Sequence, residues 1–169
     1  LETITVDLDW SKKIGPGSHD WSSPAVHSVN VFVASSTGIL YSLDGDTGGI
    51  NWSTEIGGQP NGPLAVADGK VYSGTHNYDE SSPTLVALNE EDGTIEWTYN
   101  YHLHHDGVIG MINSNGVAVV DGNGDGNLEV YFGVFNWEGT SNQAVALNAT
   151  DGTEKWTSDI GNSTSTPAV

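Results

Sequence analysis

Four tryptophans, Trp10, Trp52, Trp97 and Trp156, each close the same short phrase, and a chain built on that repeat can fold in few ways. The phrases are SLDGDTGGINW (Ser42 to Trp52), ALNEEDGTIEW (Ala87 to Trp97) and ALNATDGTEKW (Ala146 to Trp156), with VDLDW (Val6 to Trp10) as a partial fourth. Each reads as a strand, a polar turn containing Gly, and a second strand. The tryptophans recur after 42, 45 and 59 residues. A unit of that length cannot bury its apolar faces alone and must stack on neighbours, which predicts the blades of a β-propeller.

Two further anchors test the frame: the apolar strand around PAV, and the VY or VF strand after it. From Trp10 to Ala25, Phe32 and Trp52 the steps are 15, 7 and 20; from Trp52 to Ala65, Tyr72 and Trp97 they are 13, 7 and 25. From Trp97 to Ala118, Tyr131 and Trp156 they are 21, 13 and 25, so the excess length falls in loops. The spacing predicts an all-β propeller of four-stranded antiparallel blades with almost no helix. Strand A is expected at Ser23 to Val26, Pro63 to Val66 and Val117 to Val120, and strand B at Val31 to Ala34, Val71 to Ser73 and Val130 to Gly133. Strands C and D form the hairpin ending in Trp. The blades divide at 11–52, 53–97 and 98–156, with 1–10 as the last strand of a preceding blade and 157–169 as the start of another. Rings of this kind have four to eight blades. Three blades are therefore an arc, read as an excerpt of a longer protein, with further copies of the chain as the alternative means of covering its ends.

Composition narrows the partners. Twenty-two acidic residues stand against four lysines and no arginine, a formal charge of −18 that repels nucleic acid and anionic membranes. There is no cysteine, so neither disulfides nor thiol chemistry are available, and no run is long enough to span a membrane. The expected location is extracellular or the cell surface. Three sequons, at Asn51, Asn148 and Asn162, would accept glycan on a secreted chain, though a chain this rich in Asn, Ser and Thr produces such triplets by chance.

The phrase A-x-D-x-x-T-G-x-x-x-W, met closely by Ser42 to Trp52 and more loosely by Ala87 to Trp97 and Ala146 to Trp156, resembles the tryptophan-docking motif of the pyrroloquinoline-quinone-like (PQQ-like) β-propeller repeat family. The resemblance covers nearly the whole chain. It implies that each Trp packs against the adjacent blade. The family includes quinone-dependent dehydrogenases, a barrel-assembly lipoprotein and secreted scaffolds, so it implies fold more strongly than activity.

The strongest chemical signal lies between strands A and B of the third blade, where a step of 13 replaces 7. The lengthened step carries Asp121-Gly-Asn123-Gly-Asp125-Gly-Asn127-Leu-Glu129. Oxygen-bearing side chains at positions 1, 3, 5 and 9, with Gly at 6 and a backbone carbonyl at 7, suit a hard cation that takes six to eight oxygens, and so Ca2+ before Mg2+. The stretch VAVVDGNGDGNLEVYFG also resembles the calcium-binding hairpin of integrin-type propeller repeats. That likeness implies Asp121, Asn123, Asp125 and Glu129 as side-chain ligands and Asn127 through its carbonyl, with Glu where Asp is common. An Asp- and Gly-rich turn without an ion is the competing reading.

In a four-stranded meander the A–B and C–D turns share one face, and the B–C and D–A connections share the other. The cation hairpin is therefore expected opposite the long loops, which hold His19, Asp20 and Trp21; His76, Asn77, Tyr78, Asp79 and Glu80; His102, His104, His105 and Asp106; and Phe135, Asn136, Trp137 and Glu138. Aromatics beside amides and acids can recognise glycan or protein, or can pin their own loops. His104, His105 and Asp106 alone make weak grounds for a transition metal. The functional expectation is a calcium-stabilised binding or structural scaffold without catalysis. The alternative is a fragment of a PQQ-dependent alcohol or sugar dehydrogenase, disfavoured because the recognisable cation loop is filled by its own ligands and faces away from the histidines.

Overall fold

The computed structural model describes residues 9–15, 22–76, 81–105, 110–112, 116–136 and 141–161. Three antiparallel meanders follow one another along the chain. The first runs β1 (Ala25–His27), β2 (Asn30–Ser35), β3 (Ile39–Asp44) and β4 (Ile50–Glu55). In the second, β5 (Gln59–Pro60) and β6 (Ala65–Ala67) both pair with β7 (Lys70–His76), which continues to β8 (Leu85–Asn89) and β9 (Ile95–Tyr99). A four-residue helix α1 (Tyr101–His104) leads to the third. There β10 (Gly110–Ile112) and β11 (Ala118–Val120) share β12 (Glu129–Asn136), followed by β13 (Asn142–Asn148) and β14 (Glu154–Gly161).

The structure is the expected stack of four-stranded blades, with two differences in its strands. The first strand of the second and third blades is split in two. Asn61-Gly62-Pro63 interrupts it in the second blade, where Gly62 takes a φ of 92° and proline cannot extend a ladder. The fourth strand also runs past its tryptophan, to Glu55, Tyr99 and Gly161, because Ile39↔Glu55, Leu85↔Tyr99 and Asn142↔Gly161 still pair.

Blades stack because the two inner strands of the second, β7 and β8, bury both faces. Along β8, Leu85 and Ala87 join a core with Trp97, Phe132, Val145 and Leu147, while Val86 and Leu88 point the other way, into a core with Phe32, Leu40 and Ile56. Val71 and Tyr72 on β7 divide in the same way, as the two-residue period of a strand requires. The first strands crowd together: Asn61, 1% exposed, donates from Nδ2 to the Ile112 carbonyl at 2.8 Å. Gly74 admits Ile112, since a Cβ there would stand 2.9 Å from two of its carbons.

Tryptophan joins the blades in a repeated geometry. Trp10 Nε1 donates to the Gly45 carbonyl at 2.8 Å, Trp52 to Glu90 at 3.0 Å and Trp97 to Ala149 at 3.1 Å. Each acceptor lies in the C–D turn of the following blade. Each indole also lies over a turn glycine with positive φ, namely Gly48, Gly93 or Gly152, within 2.5 to 2.6 Å of where a Cβ would be. Trp156 holds the same place in its strand and is 45% exposed.

Candidate functional site

The hairpin between β11 and β12 is organised by its own carboxylates. Asp121 accepts from the Gly124 and Asp125 amides at 2.7 and 3.1 Å on Oδ1, and from Gly126 at 2.8 Å on Oδ2. Asn123 Oδ1 accepts from the Asp125 amide at 2.8 Å, and its Nδ2 donates to Asp125 Oδ2 at 2.9 Å and Glu129 Oε1 at 3.3 Å. Asp125 Oδ1 accepts from the Asn127 amide and its Nδ2 at 2.8 and 2.9 Å. The five residues named as a cation set are thus brought together on one loop.

Glu129 is the buried member, 1% exposed, and it is fully engaged. Its Oε2 accepts from the Gly122 amide at 3.0 Å and the Tyr131 hydroxyl at 3.1 Å, and its Oε1 accepts from Lys155 Nζ. The Lys155 ammonium also stands 3.9 Å from Asp125 Oδ2. Hydrogen bonding from Lys155, then from the Gly122 amide and Tyr131, holds the Glu129 carboxyl below its ordinary value against the opposing effect of desolvation. The same bond raises the Lys155 ammonium. Asp125 is held low by the Asn127 amide and the Asn123 and Asn127 side chains. The donor chemistry suits a hard cation. Yet among the described residues no three acidic or histidine side chains form a metal-holding group, and in this arrangement loop amides and Lys155 bond to oxygens of Asp121, Asp125 and Glu129. The sequence offered Tyr131 as an anchor of the repeat and did not mark it or Lys155 as part of this hairpin. The available signal was that Lys155 is one of only four lysines and directly precedes Trp156.

The third D–A connection joins the second blade to the third. Asn100 caps α1 by accepting from the Leu103 amide at 3.4 Å, and Thr84 Oγ1 accepts from the Tyr101 amide at 3.0 Å. His105 then stacks on Tyr101 at 4.0 Å between ring centroids, and His104 stacks on Tyr99 at 4.9 Å. The Tyr99 hydroxyl donates to Glu154 Oε2 at 2.6 Å, and His105 Nε2 lies 3.1 Å from the same oxygen. Burial, then the Glu154 hydrogen bond, pushes the Tyr99 phenol far above its ordinary value. His76 ends β7 opposite Gln59, and burial lowers its imidazole toward the neutral form. Asn136 is the last residue of β12. His19, Asp20, Trp21, Asn77, Tyr78, Asp79, Glu80, Asp106, Trp137, Glu138 and the Asn162 sequon lie outside the described residues, as do the flanking segments 1–8 and 162–169. At the other two sequons the amide side chains serve the fold: Asn51 Nδ2 donates to Asn30 Oδ1 at 3.1 Å, and Asn148 Oδ1 accepts from the Thr150 amide at 2.9 Å.

Comparison with known proteins agrees with the blade geometry. A family model described as outer membrane protein assembly factor BamB matches residues 7–168. The protein of that name from Yersinia pestis is 29% identical over 169 residues, covering 95% of this chain and 37% of its own length. That from Escherichia coli K12 is 31% identical over 102 residues, covering 56% and 26%. The chain therefore spans between about a quarter and little more than a third of the length of these relatives. The crystal structure of BamB from Moraxella catarrhalis matches with a TM-score of 0.62 at 20% identity, over 84% of this chain and 37% of that one. Quinohemoprotein alcohol dehydrogenase from Comamonas testosteroni matches with a TM-score of 0.64 at 23% identity, over 85% and 21%. At these identities the structures speak for the fold alone. The match over residues 7–168, on three meanders stacked in series, means that the chain belongs to the BamB family of PQQ-like β-propeller repeat proteins.

Proposed function

We propose that this chain is an arc of a non-catalytic propeller that serves as a binding scaffold outside the cytoplasm, holding protein partners on its loop-bearing faces. One observation carries the reading: among the described residues, polar groups at the blade junctions, His105 with them, are spent on joining blade to blade. Tyr99 and His105 reach Glu154 across one junction, and Thr54 Oγ1 donates to the Gly93 carbonyl at 2.7 Å across the other. Blades fixed in this way present loops on a rigid frame, which suits recognition. Relatives named as outer membrane protein assembly factors support a protein partner before a glycan, and a place at the cell envelope. The net charge of −18 favours a partner surface with positive potential. The reading gives PQQ no role. Dye reduction by the full-length protein, after incubation with PQQ and calcium and with alcohols or aldoses as substrates, tests it. No substrate-dependent rate is expected, and turnover would establish the dehydrogenase reading instead.

The same reading includes a structural Ca2+ on the Asp121 to Glu129 hairpin, held by Asp121, Asn123, Asp125, the Asn127 carbonyl and Glu129. Its role is to neutralise three carboxylates crowded on one loop. Titration calorimetry with calcium and with magnesium tests it: saturable heat with calcium only is expected, and no binding of calcium at millimolar concentration would end it.

A further inference from the structure

The Glu129–Lys155 pair is the third case of a device present in each of the three described blades. In each, strand D carries a bulge one residue before its tryptophan. Ser42 pairs with Trp52 and Leu43 with Ile50, so Asn51 is the extra residue. The same shift leaves Glu96 between Ile95 and Trp97, and Lys155 between Glu154 and Trp156. A bulge re-aims its side chain. Here it reaches past strand C to the first residue of strand B. Asn51 Nδ2 meets Asn30 Oδ1 at 3.1 Å, Glu96 Oε2 meets Lys70 Nζ at 3.5 Å, and Lys155 Nζ meets Glu129 Oε1. The register confirms the equivalence, since Asn30, Lys70 and Glu129 pair with Asp44, Asn89 and Asn148 at the end of strand C.

The third blade inverts the charges of the second. The acid moves to strand B, where it ends the hairpin, and the base moves to the bulge. This places an ammonium against the hairpin's buried carboxylate and within 3.9 Å of Asp125. We infer that Lys155 is the resident cation of the Asp121 to Glu129 hairpin: it orders the loop without metal, and calcium must displace it to reach Glu129. The second half of this inference rests on the calcium reading above; the first half does not. Without Lys155 the buried Glu129 carboxylate would lack a counter-charge, a costly state that only protonation, opening of the loop or a metal ion could relieve.

Limited proteolysis of the full-length protein by an enzyme that cuts after acidic residues, in EDTA and in calcium, tests this. Wild type and Lys155→Arg should resist cleavage within 121–129 in both conditions. Lys155→Met should be cut there about tenfold faster in EDTA, because cleavage follows the population of the open loop, and calcium should restore resistance. Lys70→Met, which breaks the equivalent pair in a blade without the acidic loop, should gain no calcium dependence. Equal resistance of Lys155→Met and wild type in EDTA overturns the inference, as does cleavage of wild type whenever calcium is removed. If Lys155→Met is cut in EDTA and calcium protects neither protein, the resident cation stands and the calcium reading falls.

Discussion

Replacing Gly152 by Ala should weaken the joint between the second and third blades by an amount that Gly69→Ala, a control of matched backbone, does not reach. Gly152 has a φ of 73° and Gly69 a φ of 70°, so each substitution forces Ala into the left-handed region at a cost of about 1 kcal/mol. The surroundings differ. A Cβ at Gly69 would meet nothing within 4 Å, whereas at Gly152 it would stand 2.5 Å from Trp97 Cε3 and 2.8 Å from Cδ2. The indole has nowhere to go: it is 9% exposed, bonded to the Ala149 carbonyl at 3.1 Å, and 5.9 Å from the Tyr72 ring centroid. Overpacking of that kind adds about 1–3 kcal/mol. Urea unfolding of the full-length protein, followed by near-UV circular dichroism of the tryptophans, should therefore separate the two variants by that margin. A double-mutant cycle sharpens the test. Trp97→Ala alone should cost about 3–5 kcal/mol, and in its background Gly152→Ala should cost no more than Gly69→Ala. If the two glycine variants are equally stable, or if the penalty at Gly152 survives the loss of Trp97, the docking argument is wrong.

Other expectations concern the turns and junctions. Asp92 is held low by the Thr94 amide and hydroxyl, so its stabilisation is present above the unfolded carboxylate value of about 3.9 and lost as pH falls through its lower folded value. Asp92→Asn should accordingly flatten the acid limb of the stability curve below about pH 4, and an unchanged slope would refute it. Burial pushes Tyr72 and Tyr101 up to about 12, so their stabilisation is complete below about pH 10 and is lost as pH rises from there toward 12. In phenolate absorbance the difference between wild type and Tyr72→Phe should rise near pH 12, and a rise at pH 10 would contradict the burial argument. Across the blade junctions, Tyr99→Phe should cost about 1.5–3 kcal/mol because its acceptor is a carboxylate, against about 1 kcal/mol for Thr54→Val with a carbonyl acceptor. Thermal unfolding of both variants measures the order, which the reverse ranking would overturn.

The repeat was legible because its signals are local. Each C–D turn needs a left-handed glycine and a side-chain oxygen to hold the turn amides, as Asp44, Asn89 and Asn148 do, and these residue types recur at fixed distance from Trp. The membership of the 121–129 hairpin was legible for the same reason. The split first strands were not. Gln59–Pro60 looks like a linker, yet it pairs with His76 and Thr75 of β7, and the contacts of Asn61 and Gly74 beside it are to Ile112 of the next blade, far away in sequence. Helix α1 is equally hidden: four residues carry no amphipathic pattern, and a side chain from β7–β8 connecting sequence, Thr84, supplies one of its anchors.

The strand-B-to-bulge clamp escaped the sequence for a deeper reason. Its three versions, Asn30 with Asn51, Lys70 with Glu96 and Glu129 with Lys155, share no residue type at either position, and the last two exchange sign. Likeness between repeats therefore hides it, while register reveals it. What persists is a requirement on the pair: two polar ends that satisfy one another across an intervening strand, at a place where the bulge leaves one side chain pointing sideways. Such a pair can invert freely within one blade, because the Coulomb attraction is the same in either sense. It cannot invert without consequence where a neighbouring loop is charged. With the lysine on strand B and the glutamate on the bulge, the third blade would place a third carboxylate at the bulge, where the side chain stands beside Asp125. The observed polarity instead places the lysine there, so the acidic hairpin and the sense of the clamp form one electrostatic unit.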